Sequence, residues 1–122
     1  MGLKVSQHQI PIVSDEENKQ FVDSTINSAK VVIFSKTYCP SSESAKKVLS
    51  NYPIKSDQYQ VIELDNNPNS NIIQNYLKLI TGAKTVPRVF ICGRCIGGGD
   101  ETIALDKCGD LVKLLAECEA LQ

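Results

Sequence analysis

The stretch Val31-Val32-Ile33-Phe34-Ser35-Lys36-Thr37-Tyr38-Cys39-Pro40-Ser41-Ser42 decides how this chain is read. Its first four residues are a short continuous apolar run, which predicts a buried strand. Beyond it, Ala45, Val48, Leu49 and Tyr52 recur at i, i+3, i+4, i+7 and stop at Pro53, so a helix follows directly. After a polar link, Val61, Ile62 and Leu64 give a second strand. A helix crossing between two neighbouring strands implies a parallel pair with a right-handed connection.

The junction between the first strand and its helix is where chemistry is expected. Pro40 suits the first helical position, because the amide hydrogen it lacks would be unpaired there, and this makes Cys39 the N-cap. The amides of Ser41 and Ser42, the positive end of the helix dipole and the nearby Lys36 all favour a thiolate. Such surroundings pull a cysteine from about 8.5 to roughly 3.5–7.5. Cys39 is therefore the candidate nucleophile, and Cys-Pro-Ser-Ser alone is a weak motif that needs a second feature.

Outward from this core, Phe21, Val22 and Ile26 predict a short helix over Glu17–Asn27, preceded by an N-terminal extension, residues 1–18, in which His8 is solvated. The domain proper is 19–122. Ile72, Ile73, Tyr76, Leu77 and Ile80 mark a helix ended by Gly82. Arg88–Ile91 and Cys95–Ile96 then flank Gly93-Arg94, a two-residue hairpin signal. Leu111, Leu114, Leu115 and Cys118 form the apolar stripe of a last helix. The sum is an α/β domain, βαβ followed by αββα, with one mixed sheet and helices on its faces.

Composition narrows the partners. The 122 residues carry 13 Lys+Arg and 14 Asp+Glu, a net charge of −1, with 42% hydrophobic and 22% charged residues. Near-neutral charge without a basic block removes the usual driving force for nucleic-acid or anionic-membrane binding. No apolar run approaches the roughly 20 residues of a membrane helix, and Met1–Ser14 lacks the features of a signal peptide. A cytoplasmic monomer is expected. The five cysteines, at 39, 92, 95, 108 and 118, are an odd set. They read as free thiols in a reducing compartment.

The second feature is Thr85-Val86-Pro87 ahead of the third strand. Together with Cys39-Pro40 after a strand and Ile96-Gly97-Gly98 followed by acidic residues, it resembles the glutaredoxins of the thioredoxin superfamily. The resemblance runs from about Lys19 to the C-terminus, including Ile73-Gln74-Asn75-Tyr76-Leu77 and Thr81–Ile91, and is nearest the cytosolic type with Cys-Pro-Tyr-Cys. It implies a thioredoxin-like fold with a four-stranded sheet and a cis bond before Pro87. It also implies a glutathione-dependent thiol-disulfide oxidoreductase, with glutathione as reductant and co-substrate and Val86 pairing its backbone.

By similarity, Lys36 and Gln74 take the glycine carboxylate with help from Lys84. Thr85, Val86 and Pro87 line the groove, and Gly98, Asp100 and Glu101 receive the γ-glutamyl end. Acidic side chains suit its ammonium, and amides at a helix start suit its carboxylate.

Two departures matter. Ser42 replaces the second active-site cysteine, so a dithiol route is lost and a monothiol route survives, with glutathionylated proteins or small mixed disulfides as substrates. A hydrogen bond from Ser42 to the thiolate is expected. Ser41 stands where the family has Tyr or Phe, which predicts modestly weaker glutathione binding. The rival reading is a dimer holding a [2Fe–2S] cluster through each Cys39 and glutathione, against which Pro40 argues. No protein metal site is expected: Cys92-Gly93-Arg94-Cys95 has zinc-like spacing but no partner ligands. A reversible Cys92–Cys95 bridge is open, Cys108 is a candidate remote thiol, and Cys118 reads as core packing.

Overall fold

The computed structural model describes residues 10–122; His8 and the rest of 1–9 lie outside the described residues. Strand β1 (Val31–Ser35) is buried along its whole length. It lies between β2 (Tyr59–Glu63), to which it is parallel, and β3 (Arg88–Ile91), to which it is antiparallel. Strand β4 (Arg94–Gly97) adds antiparallel to β3, giving the order β2-β1-β3-β4. A central strand covered on both faces has no solvent side, which is why β1 reads as an unbroken apolar run and not as an alternation.

Helices close both faces. On one, α1 (Asp15–Ile26) and α3 (Ser70–Thr81) pack Val22, Ile26, Ile73 and Leu77 onto Val32, Phe34 and Phe90 of the sheet. The Phe34 and Phe90 rings meet edge to face, 5.9 Å between centroids. On the other face, α2 (Pro40–Leu49) and α5 (Asp110–Glu117) bury Ala45, Leu49, Leu111 and Leu115 against Val31, Ile33, Val89 and Ile91. Alternate residues of β1 thus feed alternate cores, as the period-2 geometry of a strand requires. This is the thioredoxin-like α/β architecture expected.

Several sequence expectations move. Helix α1 begins at Asp15, two residues ahead of the predicted start at Glu17 and inside the stretch assigned to the extension. Ser14 accepts from the Glu17 amide at 3.1 Å while the Glu17 carboxylate accepts from the Ser14 amide at 3.2 Å, a capping box. The preceding residues are held too: the Val13 amide donates to the Asn69 side chain at 3.0 Å, and the Asn69 amide group donates to the Pro11 carbonyl at 2.8 Å.

The hairpin turn is Cys92-Gly93, not Gly93-Arg94. Ile91 pairs with Arg94, and both intervening residues take positive φ, +50° and +82°. Two helices follow β4 where one was expected. Helix α4 (Gly99–Cys108) stops at Gly109, whose φ of +86° lets the chain turn into α5.

Cys118 does not merely pack: it is bonded to Cys92, 26 residues earlier. That corrects the free-thiol reading of both residues and replaces the Cys92–Cys95 bridge. Cys92 is in the turn itself, where it meets Cys118 at the end of α5, whereas Cys95 lies in β4 opposite Phe90. Cys39, Cys95 and Cys108 are free. Among the described residues no helix is long and apolar enough to cross a membrane.

Candidate active site

Topology delivers three segments to one end of the sheet. β1 ends at Ser35 and runs into α2, which Cys39 caps. β3 runs the other way and pairs Arg88 with Phe34, so the Thr85-Val86-Pro87 segment before it arrives beside Cys39. β4 returns to the same end, with Gly97 opposite Val89, and the start of α4 follows.

The Val86–Pro87 bond is cis. The Cys39 thiol points at the Val86 carbonyl, Sγ to O 3.8 Å. Gly99 closes the third side: a Cβ there would lie 2.9 Å from the Ser41 carbonyl oxygen, so only glycine allows α4 to approach α2 this closely.

Cys39 is half-buried, and burial by itself would push its thiol up. Stronger effects in sum oppose this: the Ser42 hydroxyl, the amides of Ser42 and Ser41, and Lys36 hold it below the usual cysteine value. These are the same four groups that the sequence places around the sulfur. Ser42 is fully buried, and its hydroxyl also accepts from the Lys36 amide at 3.4 Å. Pro40 occupies the first turn, where its missing donor costs nothing.

The remaining predicted residues divide into two ends. Gln74, on α3, donates its side-chain amide to the Lys84 carbonyl at 2.8 Å, joining helix and loop. The two line, with Asn71 and Asn75, an open cleft of about 420 Å³. At the other end Gly98 is buried and caps α4. Glu101 is turned back onto it: its carboxylate accepts from the Gly98 amide at 2.7 Å, which lowers its pKa below the usual carboxylate range, with Arg88 adding a smaller pull. Asp100 projects from the first turn into solvent.

Two positioning residues escape the sequence reading. Arg88 is buried at 9% exposure, and its Nε donates to the Thr85 carbonyl at 2.9 Å and the Pro87 carbonyl at 3.1 Å, on either side of Val86. Its Nη2 lies against Gly98, where a Cβ would come within 2.9 Å of it. One guanidinium thus braces the cis-proline segment and packs against the start of α4. The available signal was a charged residue at the first position of an otherwise apolar strand.

Asp65 holds the other loop. Its carboxylate accepts from the Thr37 amide at 3.1 Å and from the Thr37 hydroxyl at 2.5 Å, fixing the approach to Cys39. An aspartate directly after a strand is a common turn residue, so nothing singled it out.

A β1–α2 junction with a low-pKa N-cap cysteine, facing a cis-proline segment across a four-stranded mixed sheet, defines a thioredoxin-like thiol oxidoreductase. The glutaredoxin family profile matches residues 31–96. Human glutaredoxin-1 is 40% identical over 104 residues, covering 85% of this chain and 98% of its own. An uncharacterized monothiol glutaredoxin of Caenorhabditis elegans is 40% identical over 110 residues, 88% of this chain and 74% of its own. The crystal structure of a buckwheat glutaredoxin–glutathione complex superposes with a TM-score of 0.81 at 38% identity, covering 88% of this chain and 96% of that one. The chain belongs to the glutaredoxin family, whose members are glutathione-dependent thiol-disulfide oxidoreductases.

Proposed function

We propose that this chain removes glutathione from mixed disulfides by a monothiol route with Cys39 as the nucleophile. The observation that carries the reading is a single low-pKa thiol beside the Val86 backbone with a buried serine, not a second cysteine, three residues on. The Cys39 thiolate attacks the glutathione sulfur of the substrate, and the target leaves as a thiol. A second glutathione thiolate then attacks the glutathione sulfur held on Cys39, releasing glutathione disulfide and the free enzyme. Ser42 offers no thiol to divert the intermediate into an internal disulfide.

The groove supports this assignment. Val86 offers backbone N–H and C=O to the tripeptide as a neighbouring strand would. Lys36, Gln74 and Lys84 supply donors for the glycine carboxylate. Thr85 and Pro87 shape the floor, and the amides at the start of α4 with Asp100 receive the γ-glutamyl end. Glu101 serves by fixing Gly98, since its carboxylate is already engaged. The glutathione seen bound to the buckwheat relative lends the same reading. Substrates on this proposal are glutathionylated proteins and small mixed disulfides.

Turnover of a glutathionylated peptide with glutathione as reductant tests it. The wild-type chain is expected to turn over, Cys39→Ser to be inactive, and mass analysis to trap one glutathione on Cys39. Persistent turnover in Cys39→Ser would overturn the assignment. The cluster reading differs in its readout. Among the described residues no three His, Cys, Asp or Glu side chains converge to hold a metal, so a [2Fe–2S] cluster would draw its ligands from two chains and two glutathiones. Anaerobic reconstitution with iron, sulfide and glutathione yielding a coloured dimer would favour it.

A further inference from the structure

The tip of the β3–β4 hairpin lies at the end of the sheet remote from Cys39: the Cys92 amide donates to the Lys30 carbonyl, just ahead of β1, at 2.7 Å. A two-residue turn with positive φ at both positions favours Asn-Gly. This chain has Cys92-Gly93, with Cys92 at φ +50°. A non-glycine residue without a short polar side chain is uncommon there, and such outliers point to a role for the side chain. That side chain is bonded to Cys118, which follows α5 as its C-cap.

A cleft reaches the bond from the Cys92 side. Both cysteines are half-buried, but a cleft of about 220 Å³ opens beside Cys92 and has Asn27, Lys30, Gln58 and Gly93 in its walls, with Cys118 not among them. Glu117 and Glu119 flank Cys118, and the carbonyl end of α5 faces it; both repel an approaching anion. The C-terminus is also held without the bond. The Lys55 amide donates to Ala120 at 2.9 Å, the Gln122 amide to Pro53 at 2.8 Å, and Leu121 bridges to Ile54. None of these contacts involves either sulfur.

We propose that Cys92–Cys118 is a second thiol-disulfide centre of this chain, separate from Cys39, which exchanges with an anionic low-mass thiol of the glutathione class entering through the cleft at Cys92. The incoming thiolate attacks Cys92 Sγ, the Cys92–Cys118 bond breaks, and Cys118 leaves with the electron pair and takes a proton from water. A second thiolate attacks the low-mass sulfur of the resulting mixed disulfide, freeing Cys92 and the oxidised low-mass disulfide. Two thiols thus deliver two electrons, and the oxidised disulfide runs the steps backwards. Access sets which sulfur is attacked. Lys30 is the cation that meets the carboxylates of the incoming thiol.

The test uses the full chain carrying Cys39→Ser, which removes the active-site reaction and separates this proposal from it. The protein is equilibrated across glutathione/glutathione disulfide mixtures, quenched by alkylation and mapped by mass analysis. Alkylated cysteines are expected to rise from two, Cys95 and Cys108, to four in one two-electron step, with circular dichroism unchanged and the transient adduct on Cys92. In Cys118→Ser the adduct accumulates on Cys92. Lys30→Ala is expected to slow exchange with glutathione several-fold and leave exchange with neutral dithiothreitol unaltered. A pair that resists glutathione until the chain unfolds, an adduct on Cys118, or equal slowing of both reagents by Lys30→Ala overturns the proposal. The adduct map needs no change to the pair itself, so it stands even where Cys118→Ser fails to fold.

Discussion

On the proposed monothiol route, Ser42 is the residue on which the chemistry of this site turns. Where a second thiol would stand, a buried hydroxyl lies close to the first thiol and helps to hold its pKa down. The sign of the pH effect follows. A depressed thiol stays ionised as pH falls below the free-cysteine value of about 8.5 and loses its charge only below its own lower midpoint. Ser42→Ala removes the hydroxyl, so the midpoint of Cys39 alkylation against pH is expected to rise, slowing the reaction at neutral pH while leaving the rate at high pH unchanged. Iodoacetamide kinetics across pH 4–10, a range of about six units, measure this directly, and an unmoved midpoint would show that the hydroxyl plays no part.

At the scale of elements, the site depends on loops pinned from outside it. Arg88 satisfies the carbonyls on both sides of Val86. Arg88→Met leaves two carbonyls with lost partners, at about 1–3 kcal/mol. The expected signature is a KM for glutathione raised on the order of tenfold, with kcat and the Cys39 midpoint little changed; equal losses in both kinetic constants would point to general unfolding.

The α2–α4 approach is equally specific. Gly99→Ala drives a Cβ to within 2.9 Å of the Ser41 backbone oxygen, which has no flexible end to yield. The variant is expected to lose about 1–3 kcal/mol of stability, read by urea denaturation, and to lose activity with it, because Ser41 and Cys39 ride on the displaced end of α2.

For the whole molecule, the sheet separates two cores and the disulfide joins the far end of the second. Cys92 and Cys118 are 26 residues apart, and closing a loop of that length restricts the unfolded chain by about 3–4 kcal/mol. Full reduction is therefore expected to lower the melting temperature by on the order of 10 °C while leaving the native far-UV spectrum intact, because Pro53, Lys55 and Ile54 still hold the C-terminal residues. Differential scanning calorimetry of oxidised and reduced protein measures the gap, and coincident transitions would remove any stabilising role for the bond.

Much of this was legible in the chain itself. The apolar run Val31–Phe34, the helix starting at Pro40 and the stop at Gly82 are local signals, and local signals survive without a fold. So did the N-cap role of Cys39, since a strand end, a proline and two small residues specify it within a few positions. Boundaries moved where a cap was overlooked, as at Ser14, or where one stripe hid a glycine break, as at Gly109.

What the sequence determined, then, was the order of elements as far as β4, the place of Cys39 at the start of α2 and a serine in place of a second cysteine three residues on. What only the tertiary structure decided were pairings between distant positions: Arg88 with Thr85 and Gly98, Asp65 with Thr37, and Cys92 with Cys118. Periodicity reports which face a residue occupies, but a partner is set by how strands and helices cross in space, and that information exists only once the chain has packed.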